Sequence, residues 1–296
     1  MLDKDTFLKK FKIEKEFEDS GLEWSVLEAI YDDYTLRRSE VARCMKELEQ
    51  YIRENFKASY HSMRCREKDP EHLVEKIIRK RGKEQVKKYE DIGVSNYREI
   101  IRDLIGVRIL IFSKEEWSKI YEDVKKNFAS SEEEDPLHYI AEPPKAYTRY
   151  GDRNVFQGRI YVEHSNKGYR SQHYVVKFKE YYCEIQVRTL AEEVYGEFDH
   201  KVKYPYREDN KFLVRYTRTL SQLLGSVDEL ISTCFQMEAD GWDQCSLYYD
   251  EDDYIDWRKT SQKTQIQMNE TESVQDIQLD RIDARGYSNN IILRKG

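Results

Sequence analysis

The segment Tyr182–Thr189, YCEIQVRT, alternates residue by residue: Cys183, Ile185 and Val187 are apolar, while Glu184, Gln186 and Arg188 are polar or charged. A period of two is that of a β-strand, whose successive side chains leave opposite faces. One face belongs to a core. The other carries an acid, an amide and a guanidinium, groups that are costly to bury without partners or ligands. The spacing alone also allows an edge strand with an ordinary wet face. A second strand spans about Leu104 to Phe112: Val107, Ile109 and Ile111 face one way, and Gly106, Arg108 and Leu110 the other. Helical patterns separate the strands, so helix and strand are mixed along the chain.

Glu23 to Phe56 reads as a long helix with Leu27, Ile30, Tyr31, Tyr34 and Leu36 among its apolar positions and no interior proline. A second helix starts at Pro70, behind the N-cap residue Asp69, and carries Leu73, Ile77 and Ile78 at helical spacing. A short helix begins at Ser95, and another follows Ser113, with Glu116 in capping-box position. Residues 129–154 hold Pro136, Pro143 and Pro144 and read as an irregular stretch. Strands are then expected in NVFQGRIYVEH, SQHYVVKFK and YCEIQVRT, a helix in LAEEVYGEFDHKVKY and a last long helix in NKFLVRYTRTLSQLLGSVDELISTCFQM. The expected organisation is a helical segment over 1–58, a central domain over 59–236 and an acidic extension over 237–296.

No apolar run in the 296 residues approaches the roughly 20 of a membrane span. The N-terminus lacks the apolar core of an export signal. Five scattered cysteines without a CxxC pair suggest neither a disulfide framework nor zinc, so a reduced cytoplasmic protein is expected. The net charge of −7 is uneven: from Ser226 onward there are 15 acidic and 7 basic residues, which leaves the first 225 with a net +1. That part can meet a polyanion without electrostatic contradiction.

The region around Pro70 is strongly cationic. Arg66 and Lys68 precede the helix, and Lys76, Arg79, Lys80 and Arg81 lie within it. Free N–H groups at a helix start suit a polyphosphate, although a solvated basic face gives the same pattern. Asp103 stands at the mouth of the first strand; beside Glu184 it would make a carboxylate pair able to share Mg²⁺ with bound phosphates, or to take a proton from a hydroxyl. In KGYRSQHY, Gly168 permits a tight turn, Tyr169 offers a ring for base stacking, and Arg170 and His173 are hydrogen-bonding neighbours.

Taken together, RCREKDPEHLVEKIIRK, RDLIGVRI, KGYRSQHY, EIQVRT and EEVYGEFDHKVKY, in that order, resemble the synthetase domain of the RelA/SpoT homologues, over about His61 to Tyr206. The resemblance implies an α/β (α+β) fold, a nucleotidyltransferase-like mixed β-sheet flanked by helices. It also implies an Mg²⁺-dependent, synthetase-only enzyme that transfers the β,γ-diphosphate of ATP to a ribose 3′-hydroxyl. GDP or GTP, giving (p)ppGpp, is the default acceptor. On it, Arg66, Lys68, Lys76 and Arg108 belong to the ATP side, and Asp103 and Glu184 are the catalytic and metal residues. Tyr169, Arg170, His173, Gln186, Arg188 and His200 belong to the acceptor side. The ring of Tyr169, rather than its hydroxyl, is then the part that matters.

Two positions depart from the family pattern: His72 stands where many members have serine, and EHSNKGY replaces a proline-rich lead in the loop that contacts the acceptor, which leaves the acceptor's identity open. Toxic members that modify the 3′ end of tRNA, or make adenosine alarmones, are therefore alternative readings, and a catalytically inactive nucleotide sensor is a third. The basic run from Lys76 to Lys88 would suit a tRNA stem. YYDEDDYIDW mixes aromatic rings with carboxylates, so the extension is a candidate intramolecular restraint; a separate neutralising partner is the other possibility. The absence of a His-Asp dipeptide argues against the family's hydrolase domain.

Overall fold

In the computed structural model, six strands form one sheet in the order β1-β2-β6-β5-β3-β4. The residues described are 2–156, 158–166, 168–203 and 210–240. The strands are β1 (Ser62–Glu67), β2 (Ile105–Ile111), β3 (His138–Thr148), β4 (Tyr161–His164), β5 (Ser171–Phe178) and β6 (Tyr181–Thr189). The pairs β2–β6 and β3–β4 are parallel and the others antiparallel. The helices are α1 (Lys4–Phe11), α2 (Glu14–Ser20), α3 (Trp24–Asn55), α4 (Pro70–Gly82), α5 (Tyr97–Ile100), α6 (Trp117–Asn127), α7 (Leu190–Lys203) and α8 (Lys211–Asp240).

Alternation along the strands gives the sheet two unlike faces. Cys65, Val107, Ile185 and Tyr174 are in register across four strands. With Ile109, Val187 and Val176 they join a buried apolar cluster that includes Ile30, Leu48 and Ile52 of α3, Leu73 and Ile77 of α4, and Ile120 and Val124 of α6. Each fully buried aliphatic side chain of this kind contributes about 1.5–3 kcal/mol. One position away, a second register row reads Arg64, Arg108, Gln186, His173 and Lys145. Five neighbouring strands thus line up polar side chains on the opposite face. The strand YCEIQVRT is central, flanked by β2 and β5, so its polar face is not that of an edge strand.

Two sequence expectations change. Residues 129–154 are not wholly irregular, because β3 runs through Pro143 and Pro144. The ladder to β5 breaks register between Glu142 and Lys145, and pairing to β4 starts only at Lys145. The prolines therefore sit in a bulge on a locally free edge, where no backbone N–H is required. The second change is β1, an unforeseen antiparallel edge strand, with Met63 and Cys65 alternating with Arg64 and Arg66.

Met1–Ala239 form one compact unit. Most of the acidic extension, with its proposed restraining role, lies outside the described residues. Among the described residues, no helix is long and apolar enough to cross a membrane.

Candidate active site

The polar face of the sheet opens into a cavity of about 390 Å³. Arg64, Arg66 and Lys68 enter from β1 and the turn after it, Asp103, Gly106 and Arg108 from β2 and its approach, and Glu184 and Gln186 from β6. Register explains the meeting: Gly106 stands between Arg66 and Glu184, so a site without a side chain separates a cation from an acid. Lys68 Nζ and Lys76 Nζ each lie 2.8 Å from a carboxylate oxygen of Asp103. Burial pushes this carboxyl upward, but the two ammoniums outweigh it and hold Asp103 far below the usual carboxylate range. Arg108 reaches Glu193, 2.6 Å away, and Glu197, both on α7.

The start of α4 borders the same cavity through Lys68, Asp69 and His72. The Asp69 side chain already accepts from the Glu71 and His72 amides, so the cap is internal. Cations that line the cavity come from β1, β2 and, with Lys68, the turn into α4, while Lys76 of α4 reaches Asp103. The rest of the basic run is largely spoken for: Arg79 and Lys80 pair with Glu84, Arg81 donates to the Ser20 and Tyr89 carbonyls, and Lys88 faces Glu142.

Beside the carboxylates, five side chains close a ring. Glu184 Oε1 is 3.1 Å from His173 Nδ1, and His173 Nε2 is 2.9 Å from the Tyr169 hydroxyl. Arg188 Nη2 donates to that hydroxyl at 2.6 Å and to Gln186 Oε1 at 2.9 Å, while Gln186 Nε2 donates back to Glu184 at 2.6 Å. One assignment satisfies every member: His173 is neutral, its Nδ1–H donates to Glu184, and its Nε2 accepts from Tyr169. Burial raises the Glu184 carboxyl, yet its bonds to His173 and Gln186 bring it below its ordinary value. It is an ionised acceptor at neutral pH. The Arg188 guanidinium lies 5.1 Å from the Tyr169 ring centroid, and Tyr147 packs edge-on at 5.7 Å. The hydroxyl, treated as dispensable from sequence, is the junction of this ring.

Arg170 and His200 are not brought to the cavity. The Arg170 side chain is buried and pairs with Asp228 of α8, with Glu192 at 4.0 Å. It lies in the turn before β5, where the carboxylates of Asp228 on α8 and Glu192 on α7 hold its guanidinium. His200 is exposed on α7 and outside the cavity lining. Gly168 has φ +81°, and its carbonyl accepts from Ser221 Oγ of α8 at 2.8 Å. A Cβ there would meet Ser221 Oγ at 2.5 Å. Gly168→Ala therefore combines left-handed strain, about 1–2 kcal/mol, with a collision against α8. The expected result is a lower melting temperature and weaker acceptor use, measured by thermal unfolding and acceptor KM.

Burial pushes the Glu192 carboxyl up to about 7, against the pull of Arg170, which it shares with Asp228. Between its ordinary value of 4.5 and 7, the native state holds the extra proton, so this group makes stability fall as pH rises through that window. Glu192→Gln is expected to leave the melting temperature at pH 4.5 unchanged and to raise it at pH 8 by about 2–6 °C.

Three participants escaped sequence reading. Arg64 was legible in principle, two residues before Arg66 on the same face of β1. Glu193 resembled any helix-surface acid. Tyr147 gave no signal, because 21 residues separate it from the tyrosine it packs on.

A sequence profile described as "Region found in RelA / SpoT proteins" matches residues 65–209. The chain belongs to the RelA/SpoT family. The matched region begins within β1 and runs through α7, and so contains the ring and every cavity-lining residue except Arg64. No curated protein matches this RelA/SpoT chain by sequence. Among solved structures, small alarmone synthetase 1 from Bacillus subtilis is 19% identical with a TM-score of 0.52, covering 71% of this chain and 100% of its own. A GTP pyrophosphokinase family protein from Streptococcus pneumoniae is 18% identical with a TM-score of 0.45, covering 77% of this chain and 99% of its own. The first likeness shows that the RelA/SpoT fold extends beyond the matched region.

Proposed function

We propose that the cavity transfers the β,γ-diphosphate of ATP to the ribose 3′-hydroxyl of GDP or GTP. The observation that carries this reading is the meeting of Arg66, Lys68, Arg108, Asp103 and Glu184 in one cavity, with the Tyr169 ring of side chains at its side. The acceptor oxygen attacks the β-phosphorus, the bond from that phosphorus to the α,β-bridging oxygen breaks, and AMP leaves. The 3′-hydroxyl proton passes to Glu184, which the His173 and Gln186 bonds keep ionised and aimed. Lys68 and Lys76, now on Asp103, are flexible ammoniums that can exchange to the triphosphate as it enters.

The donor set fits Mg²⁺: two carboxylates, close enough for Asp103 to act on the Glu184 charge, and anionic oxygens from substrate for the remaining positions. Asp103 and Glu184 would hold the ion, which supplies positive charge to offset that of the phosphates. In this reading Arg170 leaves the acceptor set and becomes a positioning residue for the turn before Tyr169.

Incubation of the full chain with γ-labelled ATP, Mg²⁺ and, separately, GDP, GTP, ATP and deacylated tRNA tests the proposal. Label in GDP or GTP, with AMP formed in equal amount, is expected. Label only in tRNA or in an adenine nucleotide would move the acceptor to one of the alternative readings. No AMP with any acceptor would leave a nucleotide-binding module.

A further inference from the structure

Along β6 the polar face does not end at Glu184. Tyr182, two residues before it, leaves the same side of the sheet and is buried under two cations. Arg102 Cζ lies 3.5 Å from the Tyr182 ring centroid, and Lys177 Nζ lies 4.1 Å from it. Register fixes the second contact, because Lys177 faces Tyr182 directly across the β5–β6 pair. A third cation, Lys88, comes from the single turn Lys87–Tyr89 and shares the Glu142 carboxylate with Arg102.

The charges of this corner are loosely met. Glu142 stands 3.5 Å from Arg102 Nε and 3.6 Å from Lys88 Nζ, and Glu99 stands 3.5 Å from Lys177 Nζ. Charge-assisted hydrogen bonds are shorter, at about 2.7–2.9 Å. Arg102 Nε and Nη1 are shut off from solvent and have no hydrogen-bond partner, a costly state for a guanidinium. Burial, with Arg102 and Lys76 nearby, holds the Lys88 ammonium below its ordinary value in spite of Glu142. Three cations from three segments thus converge on one position of the sheet, and their two carboxylates are partly exposed.

The place of the corner indicates its ligand. Gln186 and Arg188, which carry the Tyr169 ring of side chains, follow Glu184 along β6, whereas Tyr182 precedes it. Arg102 is the direct neighbour of Asp103, which holds Lys68 and Lys76. Residues on one face of a strand stand about 7 Å apart, on the scale of a diphosphate reaching beyond an oxygen at Glu184. We propose that Lys88, Arg102 and Lys177 form an anion subsite for the terminal phosphate of the diphosphate passed at Glu184. Given the transfer proposed above, this is the γ-phosphate of ATP and afterwards the outer phosphate of the 3′-diphosphate product. Glu142 is a placeholder that holds Arg102 and Lys88 loosely and gives way to a phosphate.

The probe is inorganic pyrophosphate, titrated calorimetrically into the full chain without Mg²⁺ or nucleotide. Arg102→Gln and Lys177→Gln are each expected to weaken its binding by about 10-fold or more, as loss of a hydrogen bond to a charged group does. Glu142→Gln is expected to tighten binding by about 2–5-fold, because a competing carboxylate is gone. A cluster that only braces the sheet would lower the melting temperature in all three variants without this opposition of sign. Unchanged binding in Arg102→Gln and Lys177→Gln, weaker binding in Glu142→Gln, or no binding to the parent at millimolar pyrophosphate overturns the proposal. The readout needs no turnover. A chain that binds pyrophosphate in this pattern yet forms no AMP keeps the subsite and loses the transfer reading. Transfer in a chain whose pyrophosphate affinity ignores these residues does the reverse.

Discussion

Glu184→Gln is expected to lower diphosphate transfer by about 10²–10⁴-fold, the range for loss of a positioned general base, with little change in ATP affinity. Size is retained, but an amide nitrogen replaces one of the two accepting oxygens, so the variant loses one bond to His173 or Gln186 together with the charge that takes the proton. Asp103→Asn is expected to be at least as damaging, for a different reason. It takes the counter-charge from two ammoniums that share one carboxylate, Lys68 and Lys76. It also removes one of the two candidate metal ligands. Uncompensated cations in a partly buried site are costly, so this variant is also expected to lose stability, and a melting curve accompanies the rate. Parent-like turnover in both variants would falsify the assignment of this cavity as the active site.

The second large effect is at Tyr169. Truncation to alanine removes a stacking face worth about 1–3 kcal/mol and opens the ring of side chains, so acceptor kcat/KM is expected to fall by roughly 100-fold or more. ATP affinity should change far less. Tyr169→Phe keeps the face but loses the junction between His173 and Arg188. At about 0.5–1.5 kcal/mol per hydrogen bond, the loss expected is about tenfold, well short of the alanine effect but not negligible. A Phe variant indistinguishable from the parent would show that the hydroxyl is idle. An alanine variant that weakens ATP and acceptor equally would move Tyr169 to the donor side.

The sequence made the central sheet legible because Val107, Ile109, Cys183, Ile185 and Val187 follow a strict period of two. Adjacency was not legible in the same way. That β2 and β6 are neighbours, which brings Asp103 and Glu184 to one cavity, follows from crossovers spanning many residues, and alternation carries no register. The edge strand β1 was hidden because its polar positions are arginines that read as an approach to α4. Pro143 and Pro144 hid β3 for the reason that proline normally excludes a strand; the bulge that admits them depends on where β4 begins. Arg170 stands next to Tyr169 in sequence, which gave no sign that a buried carboxylate on α8, Asp228, takes its guanidinium.

The bond that breaks in ATP is the most direct test of the account. The full chain is incubated with ATP, Mg²⁺ and GDP or GTP, and the products are separated and followed by ³¹P resonance. The account predicts AMP and a 3′-diphosphorylated guanine nucleotide in equal amounts, with no ADP formed from ATP, and loss of both products in Glu184→Gln. ADP with a singly phosphorylated acceptor, or ADP with free phosphate, would contradict it, because the cavity would then be cleaving at the γ-phosphate rather than between α and β.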